Sequence, residues 1–154
     1  MKKIFNILML ALVVVCASCT PEPTPEPTLP VNSYTISGAW QLAELNNTPL
    51  TDSTYLYIVL NSKGSFTIYD NLSSMYPVMQ TGRFTLEEDW RVGHIISGTY
   101  DFGLGAWTHK YIITNLTKET MMWTASDDNT DVQTFINVAD VPAHIVEAVR
   151  PIKE

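Results

Sequence analysis

The sequence predicts an all-β protein, an eight-stranded antiparallel up-and-down barrel followed by a short helix, with a two-sheet β-sandwich as the alternative. Short segments rich in Tyr, Ile, Val, Thr, Phe and Trp alternate with turn residues between residues 34 and 138. No long segment in this region has the helical period. Eight sequential strands joined by short links favour a barrel, because closure removes exposed sheet edges.

Eight segments are expected to form the barrel strands. Apolar and polar residues alternate at Phe66-Thr67-Ile68 and at Phe84-Thr85-Leu86, which is typical of a strand with one buried face. The residues between the second and third segments, NSKG at 61–64, predict a tight hairpin turn. The predicted strands are Gly38–Asn46, Tyr55–Asn61, Ser65–Tyr69, Val78–Leu86, Trp90–Tyr100, Trp107–Asn115, Thr120–Ser126 and Val132–Val138.

A short helix is expected after the last strand, from about residue 141. Pro142 suits the first turn of a helix, because the N–H that proline lacks would have no partner within the helix there. Ile145 and Val149 are four residues apart and would share one face. Pro151 cannot continue the helix and is expected to end it.

The predicted connections differ in length between the two ends of the barrel. In an up-and-down barrel the odd-numbered connections lie at one end and the even-numbered ones at the other. The long-loop end, residues 47–54, 70–77, 101–106 and 127–131, is therefore the predicted mouth. The short-turn end, residues 62–64, 87–89 and 117–119, is the predicted closed end, and the N-terminal segment should enter there.

The N-terminus resembles a bacterial lipoprotein signal. Two lysines follow Met1, and the apolar stretch at residues 4–15 is short for a membrane span. Two small residues precede Cys19, as in the lipobox, in which the cysteine is acylated and becomes the new N-terminus. Cys16 fits less well because it follows a bulky valine. We predict a signal peptide at residues 1–18 and lipidation of Cys19, with simple secretory cleavage as the alternative.

The segment after Cys19 is expected to be a spacer. Residues 20–30 read TPEPTPEPTLP, and proline-rich chain favours the extended polyproline helix. Residues 19–33 are therefore assigned to the lipidated cysteine and its tether, and residues 34–154 to the barrel domain with its helix. A chain of this kind is expected in the cell envelope as an outer-membrane lipoprotein, with the membrane as a partner through its lipid.

Charge and cysteine usage argue against other classes of protein. The chain has 16 acidic and 9 basic residues with no basic cluster, so a nucleic-acid partner is not expected. A redox CxxC motif needs a thioredoxin-like context, whereas these cysteines end an apolar signal segment. A zinc site would need further ligands at suitable spacing.

Several short motifs follow one another along the predicted strands, beginning with Gly38-Ala39-Trp40 and ending with Val141-Pro142. Their order resembles that of the lipocalins and of the lipocalin-like lipoproteins of Bacteroidota, and Gly38 and Trp40 are similar to the Gly-x-Trp at the base of the lipocalin barrel. The resemblance covers residues 37–149 and implies a non-enzymatic calycin-type barrel that holds a small apolar ligand. Lipocalins also place an arginine over that tryptophan, and residues 134–137 contain none. The further matching motifs are Lys63-Gly64-Ser65-Phe66, Gly82-Arg83-Phe84, Ile96-Ser97-Gly98-Thr99-Tyr100, Trp107 with Tyr111-Ile112-Ile113, Met122-Trp123-Thr124 and Val141-Pro142.

Apolar residues in and beside the predicted long loops are the candidate ligand contacts. An apolar cleft with a few polar groups is typical of small-molecule sites. The predicted long loops carry aspartates and no Lys or Arg, so the ligand is expected to be neutral or cationic. The candidate contacts are Leu50, Leu72, Met75, Tyr76, Phe102, Leu104, Trp107, His109, Tyr111 and Met122. The aspartates are Asp52, Asp70, Asp101, Asp127, Asp128 and Asp131, which are also ordinary turn residues.

No catalytic, metal or cofactor site is expected. The segment DDNTD at 127–131 begins like a calcium loop, but Val132 and Val138 stand where such a loop needs Gly and Glu. The three histidines lack zinc-ligand spacing, and no G-x-S-x-G or H-E-x-x-H motif is present. Separately, Ser53 lies in Asp52-Ser53-Thr54, which resembles an O-glycosylation signal of these bacteria.

The sequence therefore favours a membrane-anchored lipocalin-like lipoprotein that binds a small, mostly apolar ligand in its barrel. The alternative is a protein-interaction or structural module of the cell envelope with a filled barrel. Interior volume separates the two: a cavity of at least about 300 Å³ opening among the long loops would favour ligand binding. Residues that could line or fill the interior are Tyr57, His109, Tyr111, Met122 and Trp123.

Overall fold

The computed structural model describes residues 26–151 except Ser73 and Met75. The predicted signal peptide, Cys19 and the first part of the tether lie outside these residues. The described elements are β1 (Gly38–Leu45), β2 (Thr48–Pro49), β3 (Leu56–Leu60), β4 (Ser65–Asp70), β5 (Val78–Asp89), β6 (Gly93–Tyr100), β7 (Tyr111–Thr114), β8 (Thr120–Ala125), β9 (Val132–Val138), the helix α1 (Ala143–Ala148) and β10 (Arg150–Pro151).

Eight of the strands form a closed antiparallel barrel. Neighbouring strands pair in the order β5, β4, β3, β1, β9, β8, β7 and β6, and pairing between β5 and β6 closes the ring. The short β2 pairs with β1, and β10 runs parallel to β5. The predicted up-and-down barrel with a C-terminal helix is confirmed. A two-sheet sandwich is excluded, because it would leave β5 and β6 unpaired.

The interior of the barrel is an apolar core. Side chains directly opposite each other on paired strands point to the same side of a sheet. Trp40 lies opposite Ile58, and Ile58 lies opposite Ile68, so the three share the inner face. The buried core consists of Ile36, Trp40, Leu42, Ile58, Leu60, Phe66, Ile68, Phe84, Ile96, Tyr111, Ile113, Leu116, Met121, Trp123, Ala125 and Phe135.

Two glycines on the inner face make room for aromatic rings. A Cβ atom at Gly82 would overlap the ring of Phe66 and the carbonyl of Thr99, and one at Gly98 would overlap the indole of Trp107. Both glycines are needed for close approach, since neither has a positive φ. The rings of Phe66 and Trp107 therefore pack directly against the backbone of β5 and β6.

The N-terminal segment closes the short-turn end. The N–H of Leu29 donates to the carbonyl of Leu116 at 2.7 Å, and Leu29 and Val31 pack against the core. Ile36 is completely buried, and its carbonyl accepts a hydrogen bond from Nε1 of Trp40 at 2.8 Å. The chain therefore enters at the short-turn end, as the loop lengths predicted. Two residues of the predicted tether, Leu29 and Val31, belong to the packed fold.

The turn between β5 and β6 differs from the prediction. The sequence placed it at residues 87–89, but these residues continue β5 and pair with β6, and the turn is at residues 90–92. The acidic residues at 87–89 look like a turn because they occupy the solvent-exposed end of a long hairpin. In the actual turn, the guanidinium of Arg91 lies over the ring of Trp90, 4.9 Å from the ring centroid. The backbone N–H of Arg91 donates a hydrogen bond to Oδ1 of Asp89.

The connection between β6 and β7 is longer than predicted. β7 begins at Tyr111 rather than at Trp107, and the preceding residues fold back onto β6. The N–H of Trp107 donates to the carbonyl of Gly98 at 2.9 Å. Lys110 therefore lies in a long loop, so the predicted absence of basic residues from the long-loop end is wrong. Its Nζ lies 3.7 Å from the carboxylate of Glu87.

Helix α1 lies over the outer face of the barrel. Pro142 precedes it as the N-cap residue, and Ile145 is its buried residue. Residues of the helix and the outward-facing Ala39 and Val59 border a common groove. The helix ends at Ala148, before Pro151, and Pro151 instead pairs with Met79 as part of β10. Within the part of the chain that the structure describes, no helix has both the length and the apolarity needed to cross a membrane.

Candidate functional site

A cavity of about 140 Å³ lies inside the barrel. Leu56 and Tyr111 begin their strands and Tyr100 ends its strand, so these three wall residues lie at the long-loop end. A cavity of this size can hold a benzene-sized molecule. The lining residues are Leu56, Ile58, Ile68, Tyr100, Trp107, Thr108, Tyr111, Trp123, Gln133 and Phe135.

Aromatic rings form one continuous wall of the cavity. Trp123 lies at the centre of this group: its ring centroid is 5.5 Å from that of Trp107, 5.6 Å from that of Tyr111 and 4.9 Å from that of Phe135. These separations are typical of attractive aromatic contacts. The cavity is therefore bounded by rings that hold each other in place.

Two hydrogen-bond donors in this wall have no partner. The Nε1 atoms of Trp107 and Trp123 are buried, and neither reaches an acceptor among the described residues. In contrast, Nε1 of Trp40 in the same core donates to the carbonyl of Ile36. A buried donor left without an acceptor costs roughly 1–3 kcal/mol. Both nitrogens are therefore buried within the packed aromatic wall, where a water-sized molecule does not reach them.

Tyr111, Asp131 and Gln133 form a hydrogen-bonded cluster on the β9 side of the cavity. The hydroxyl of Tyr111 donates to Oδ2 of Asp131 at 3.2 Å and accepts from Nε2 of Gln133 at 3.0 Å. Burial, followed by the negative charge of Asp131, raises the pKa of the Tyr111 phenol far above its ordinary value. Tyr111 is therefore neutral at physiological pH, and its hydroxyl is engaged with protein groups.

Asp70 lies inside the barrel rather than in a loop. The sequence placed it in the third connection, but it is the last residue of β4 and pairs with Leu56. It is 7% exposed, and its Oδ1 accepts the N–H of Leu72 at 3.2 Å. Burial raises the pKa of Tyr100, and the charge of Asp70 raises it further. The strand continues one residue further than its apolar pattern indicated.

Two of the predicted ligand contacts, Trp107 and Tyr111, line the cavity. Leu50 is partly buried and packs against the core. Met122 alternates with the buried Met121 and Trp123 on β8 and so faces away from the interior.

The other predicted contacts lie outside the cavity. His109 is at the rim, where its Nδ1 lies 2.7 Å from Oδ1 of Asp127. Met75 falls outside the described residues. Those with exposed side chains are Leu72, Tyr76, Phe102 and Leu104.

Several residues of the cavity wall were not among the predicted contacts. Gln133 and Phe135 lie on the inner face of β9, opposite the inward-facing Trp123 and Met121. Strand alternation combined with hairpin register could have identified them, since Trp123 was already recognised as an interior candidate. Tyr57, a further interior candidate, is buried. It lies opposite Gln41 and directly precedes the inward-facing Ile58, so its side chain is on the outer face.

The described part of the chain contains no group of three or more His, Cys, Asp or Glu residues placed to hold a metal ion. The aspartate-rich segment at 127–131 forms a turn in which Oδ1 of Asp128 accepts hydrogen bonds from Oγ1 and N–H of Thr130. These bonds lower the pKa of Asp128. Ser53, the candidate for glycosylation, is exposed, and its carbonyl accepts a hydrogen bond from Asn71.

Comparison with known proteins gives no relative from which a role could be transferred. No family model, no curated protein and no solved structure matches the chain.

Proposed function

We propose that this chain is a lipocalin-like lipoprotein of the cell envelope that binds one small neutral molecule inside its barrel, without catalysis and without a cofactor. The observation that carries the proposal is the aromatic-lined cavity of about 140 Å³ at the long-loop end. Small-molecule sites are typically concave and mostly apolar, with a few polar groups that orient the ligand. The motif order from Gly38 to Val149 supports the same type of barrel.

The size of the cavity narrows the class of ligand. Its volume of about 140 Å³ is below the roughly 300 Å³ that was expected to favour ligand binding over a filled barrel, so the proposal is restricted to a molecule smaller than an ordinary ligand. A single ring fits in such a space, whereas a long acyl chain does not. The carboxylates of Asp70 and Asp131 lie close to Tyr100 and Tyr111 of the wall and disfavour an anionic ligand.

The proposed anchor agrees with the direction of the chain. The described chain enters at the short-turn end, opposite the cavity. The seven Cα–Cα steps from Cys19 to Glu26 can span at most roughly 25 Å. A lipid on Cys19 would therefore hold the short-turn end near the membrane and leave the long-loop end facing away from it.

A titration with styrene tests the binding proposal. Styrene should bind saturably and raise the unfolding temperature, because a ligand that binds only the folded state stabilises it. Leu56→Trp places a larger ring in the cavity and should weaken binding by tenfold or more. Leu72→Trp adds the same ring at an exposed position of the same end and should leave binding unchanged. Absence of saturable styrene binding to the wild-type protein would contradict the proposal.

A second candidate function is favoured by the exposed apolar side chains of the long-loop end. Phe102 is 75% exposed and Tyr76 is 67% exposed. Both belong to connections at the same end of the barrel, and exposed apolar patches often mark protein contacts. This end would then contact an envelope protein. Phe102→Ser with Tyr76→Ser should reduce cross-linking to that partner in intact cells and leave styrene binding unchanged. Cross-linking at the wild-type level would exclude this surface.

A further inference from the structure

The tip of the hairpin formed by β5 and β6 carries apolar side chains that are exposed to solvent. Trp90 lies in the turn at residues 90–92 and is 86% exposed, the largest fraction for any large apolar side chain in the described part of the chain. Val92 in the same turn is 44% exposed. Folded proteins usually bury most of a tryptophan side chain. Two such side chains at one tip point to a surface that a partner covers.

The hairpin carries this tip beyond the neighbouring β3–β4 turn. β5 pairs with β4 as far as Arg83, which lies opposite Ser65, the first residue of β4. The rest of β5, up to Asp89, pairs with β6. A strand rises about 3.3 Å per residue, so Trp90 lies roughly 20 Å along the hairpin from the first residue of β4. The tip is therefore free to contact a surface that faces the short-turn end of the barrel.

Arg91 gives the tip a positive charge beside the indole. Its guanidinium lies over the ring of Trp90, 4.9 Å from the ring centroid, and its backbone N–H donates to Oδ1 of Asp89 at 2.7 Å. Tryptophan rings are enriched at the level of the lipid headgroups, because the indole is mostly apolar and its N–H is polar. An arginine beside such a ring keeps its charge at the headgroup phosphates while its stem lies along apolar surface. The tip therefore has the chemistry of a membrane-interface contact.

The distribution of charge fits the same partner. Each of the three short turns has one exposed basic residue, and none of these makes an ion pair in the described part of the chain: they are Lys63, Arg91 and Lys118. Some of this charge is offset by acidic residues near the turns, which are Glu26, Glu88, Asp89 and Glu119. The long-loop end is more acidic, with exposed carboxylates at Asp52, Asp101, Asp127 and Asp128. An anionic lipid surface therefore repels the long-loop end, whereas the basic side chains of the short turns can reach its phosphates.

The course of the N-terminal segment places the membrane at this same end. The chain enters at the short-turn end, where the N–H of Leu29 donates to the carbonyl of Leu116 at 2.7 Å. Tyr34, in the segment that leads into β1, is 80% exposed and adds a second aromatic side chain to this end. Seven Cα–Cα steps separate Cys19 from Glu26, so a lipid on Cys19 would lie within roughly 25 Å of Glu26. Such a lipid brings the membrane surface to the end of the barrel that carries the hairpin tip.

We infer that the tip of the β5–β6 hairpin is a second membrane contact, in which Trp90 enters the headgroup layer of the bilayer and Arg91 binds lipid phosphate. A lipid on a tether alone would hold the protein near the membrane but leave its tilt free. Two contacts determine the tilt and keep the long-loop end, with the cavity, facing away from the bilayer. This inference rests on the lipid proposed for Cys19 and does not depend on the ligand.

Fluorescence quenching by brominated lipids measures the position of Trp90. The lipidated protein, purified from membranes, is reconstituted into vesicles of phosphatidylcholine and phosphatidylglycerol, with or without bromine on the acyl carbons next to the headgroup. Subtracting the emission of Trp90→Phe from that of the wild type leaves the emission of Trp90, because the other tryptophans are common to both proteins. Bromine should remove most of this emission.

Tyr76→Trp in the Trp90→Phe protein is the matched control. Tyr76 is 67% exposed at the long-loop end, so the new indole lies in water and bromine should leave its emission unchanged. Both positions are exposed, so neither substitution should disturb folding. Arg91→Glu places a carboxylate against the lipid phosphates. It should reduce the quenching of Trp90, and more so in vesicles that contain phosphatidylglycerol than in phosphatidylcholine alone.

The outcomes that would overturn the inference differ from a failure of the proposed function. Equal Trp90 emission with and without bromine excludes the membrane contact. Equal quenching of Trp90 and of the Tyr76→Trp indole also excludes it, because the barrel would then have no preferred end against the lipid. Unchanged quenching in Arg91→Glu excludes the phosphate contact of Arg91. A protein that does not float with the vesicles contradicts both the lipid on Cys19 and the membrane contact, whereas a protein that does not bind styrene contradicts only the ligand site.

Discussion

At the scale of single residues, Tyr111 links the core to the cavity. Its ring packs against Trp123, its hydroxyl bonds to Asp131, and it forms part of the cavity wall. The sequence identified Tyr111 through alternation with Trp107. It could not identify the partners of the hydroxyl, because Asp131 and Gln133 reach it only through the pairing of β8 with β9 and the loop between them.

The raised pKa of Tyr111 predicts a loss of stability in alkali. The folded protein holds the phenolic proton more tightly than the unfolded chain, in which the pKa is 10.0. The contribution of Tyr111 to the free energy of unfolding is therefore fully present below pH 10. It is lost as the pH rises above 10, because the phenol ionises first in the unfolded chain. Urea unfolding between pH 8 and pH 11 should show a steeper decline for wild type than for Tyr111→Phe, by roughly 1 kcal/mol per pH unit or less. The other tyrosines are common to both proteins. Parallel declines would contradict this assignment.

Gly98 provides a test of how tightly Trp107 is held. A methyl group at this position would overlap the indole, so Gly98→Ala should lower the free energy of unfolding by about 1–3 kcal/mol. It should also weaken styrene binding, because Trp107 must move within the cavity wall. Ser97→Ala is the control, because Ser97 directly precedes Gly98 and faces outward. It should lower the free energy of unfolding by about 0.5 kcal/mol or less. Equal effects of the two substitutions would show that Trp107 does not pack as described.

At the scale of elements, the apolar residues predicted the positions of the strands correctly. The polar residues led to wrong positions for some of the strand ends. Phe66, Ile68 and Phe84 alternate along paired strands, so their positions were readable from the sequence. The acids at 87–89 are typical of a turn, but they continue β5 at its exposed end. Lys110 was read as part of a strand, but residues before Tyr111 fold back onto β6. Strand ends depend on pairing with a neighbour, which local composition does not encode.

The segment before β1 should contribute strongly to stability. Ile36 is completely buried and plugs the short-turn end, so Ile36→Ala should lower the free energy of unfolding by about 2–5 kcal/mol. Tyr34, two residues earlier, is 80% exposed, and Tyr34→Ala should change it by no more than about 0.5 kcal/mol. Urea denaturation of both variants measures the difference. A small loss for Ile36→Ala would mean that the N-terminal segment does not close the barrel.

At the scale of the whole molecule, the number of strands and the lengths of their connections predicted both the closed barrel and its two unlike ends. The volume of the cavity could not be predicted from the strand number and connection lengths. It depends on how Trp107 folds in from the loop after β6 and on how Trp123 packs against it. Alternation can assign a side chain to the interior, but it cannot determine whether the interior is filled.

The proposed orientation in the cell envelope depends on the proposed lipid on Cys19. Cys19→Ser should move the protein from the membrane fraction of intact cells to the soluble fraction, because the anchor is lost. Cys16→Ser should leave it in the membrane, since that cysteine is predicted to be removed with the signal. Fractionation with immunodetection measures both. If Cys19→Ser stays in the membrane fraction, the lipid is not on Cys19 or does not hold the protein.

The most direct test of the central claim is a crystal structure of the protein grown with styrene. We expect density for one styrene molecule within the space bounded by Leu56, Tyr111 and Trp123. An interior completely filled by protein side chains, or a cavity that remains empty at saturating styrene, would contradict the account.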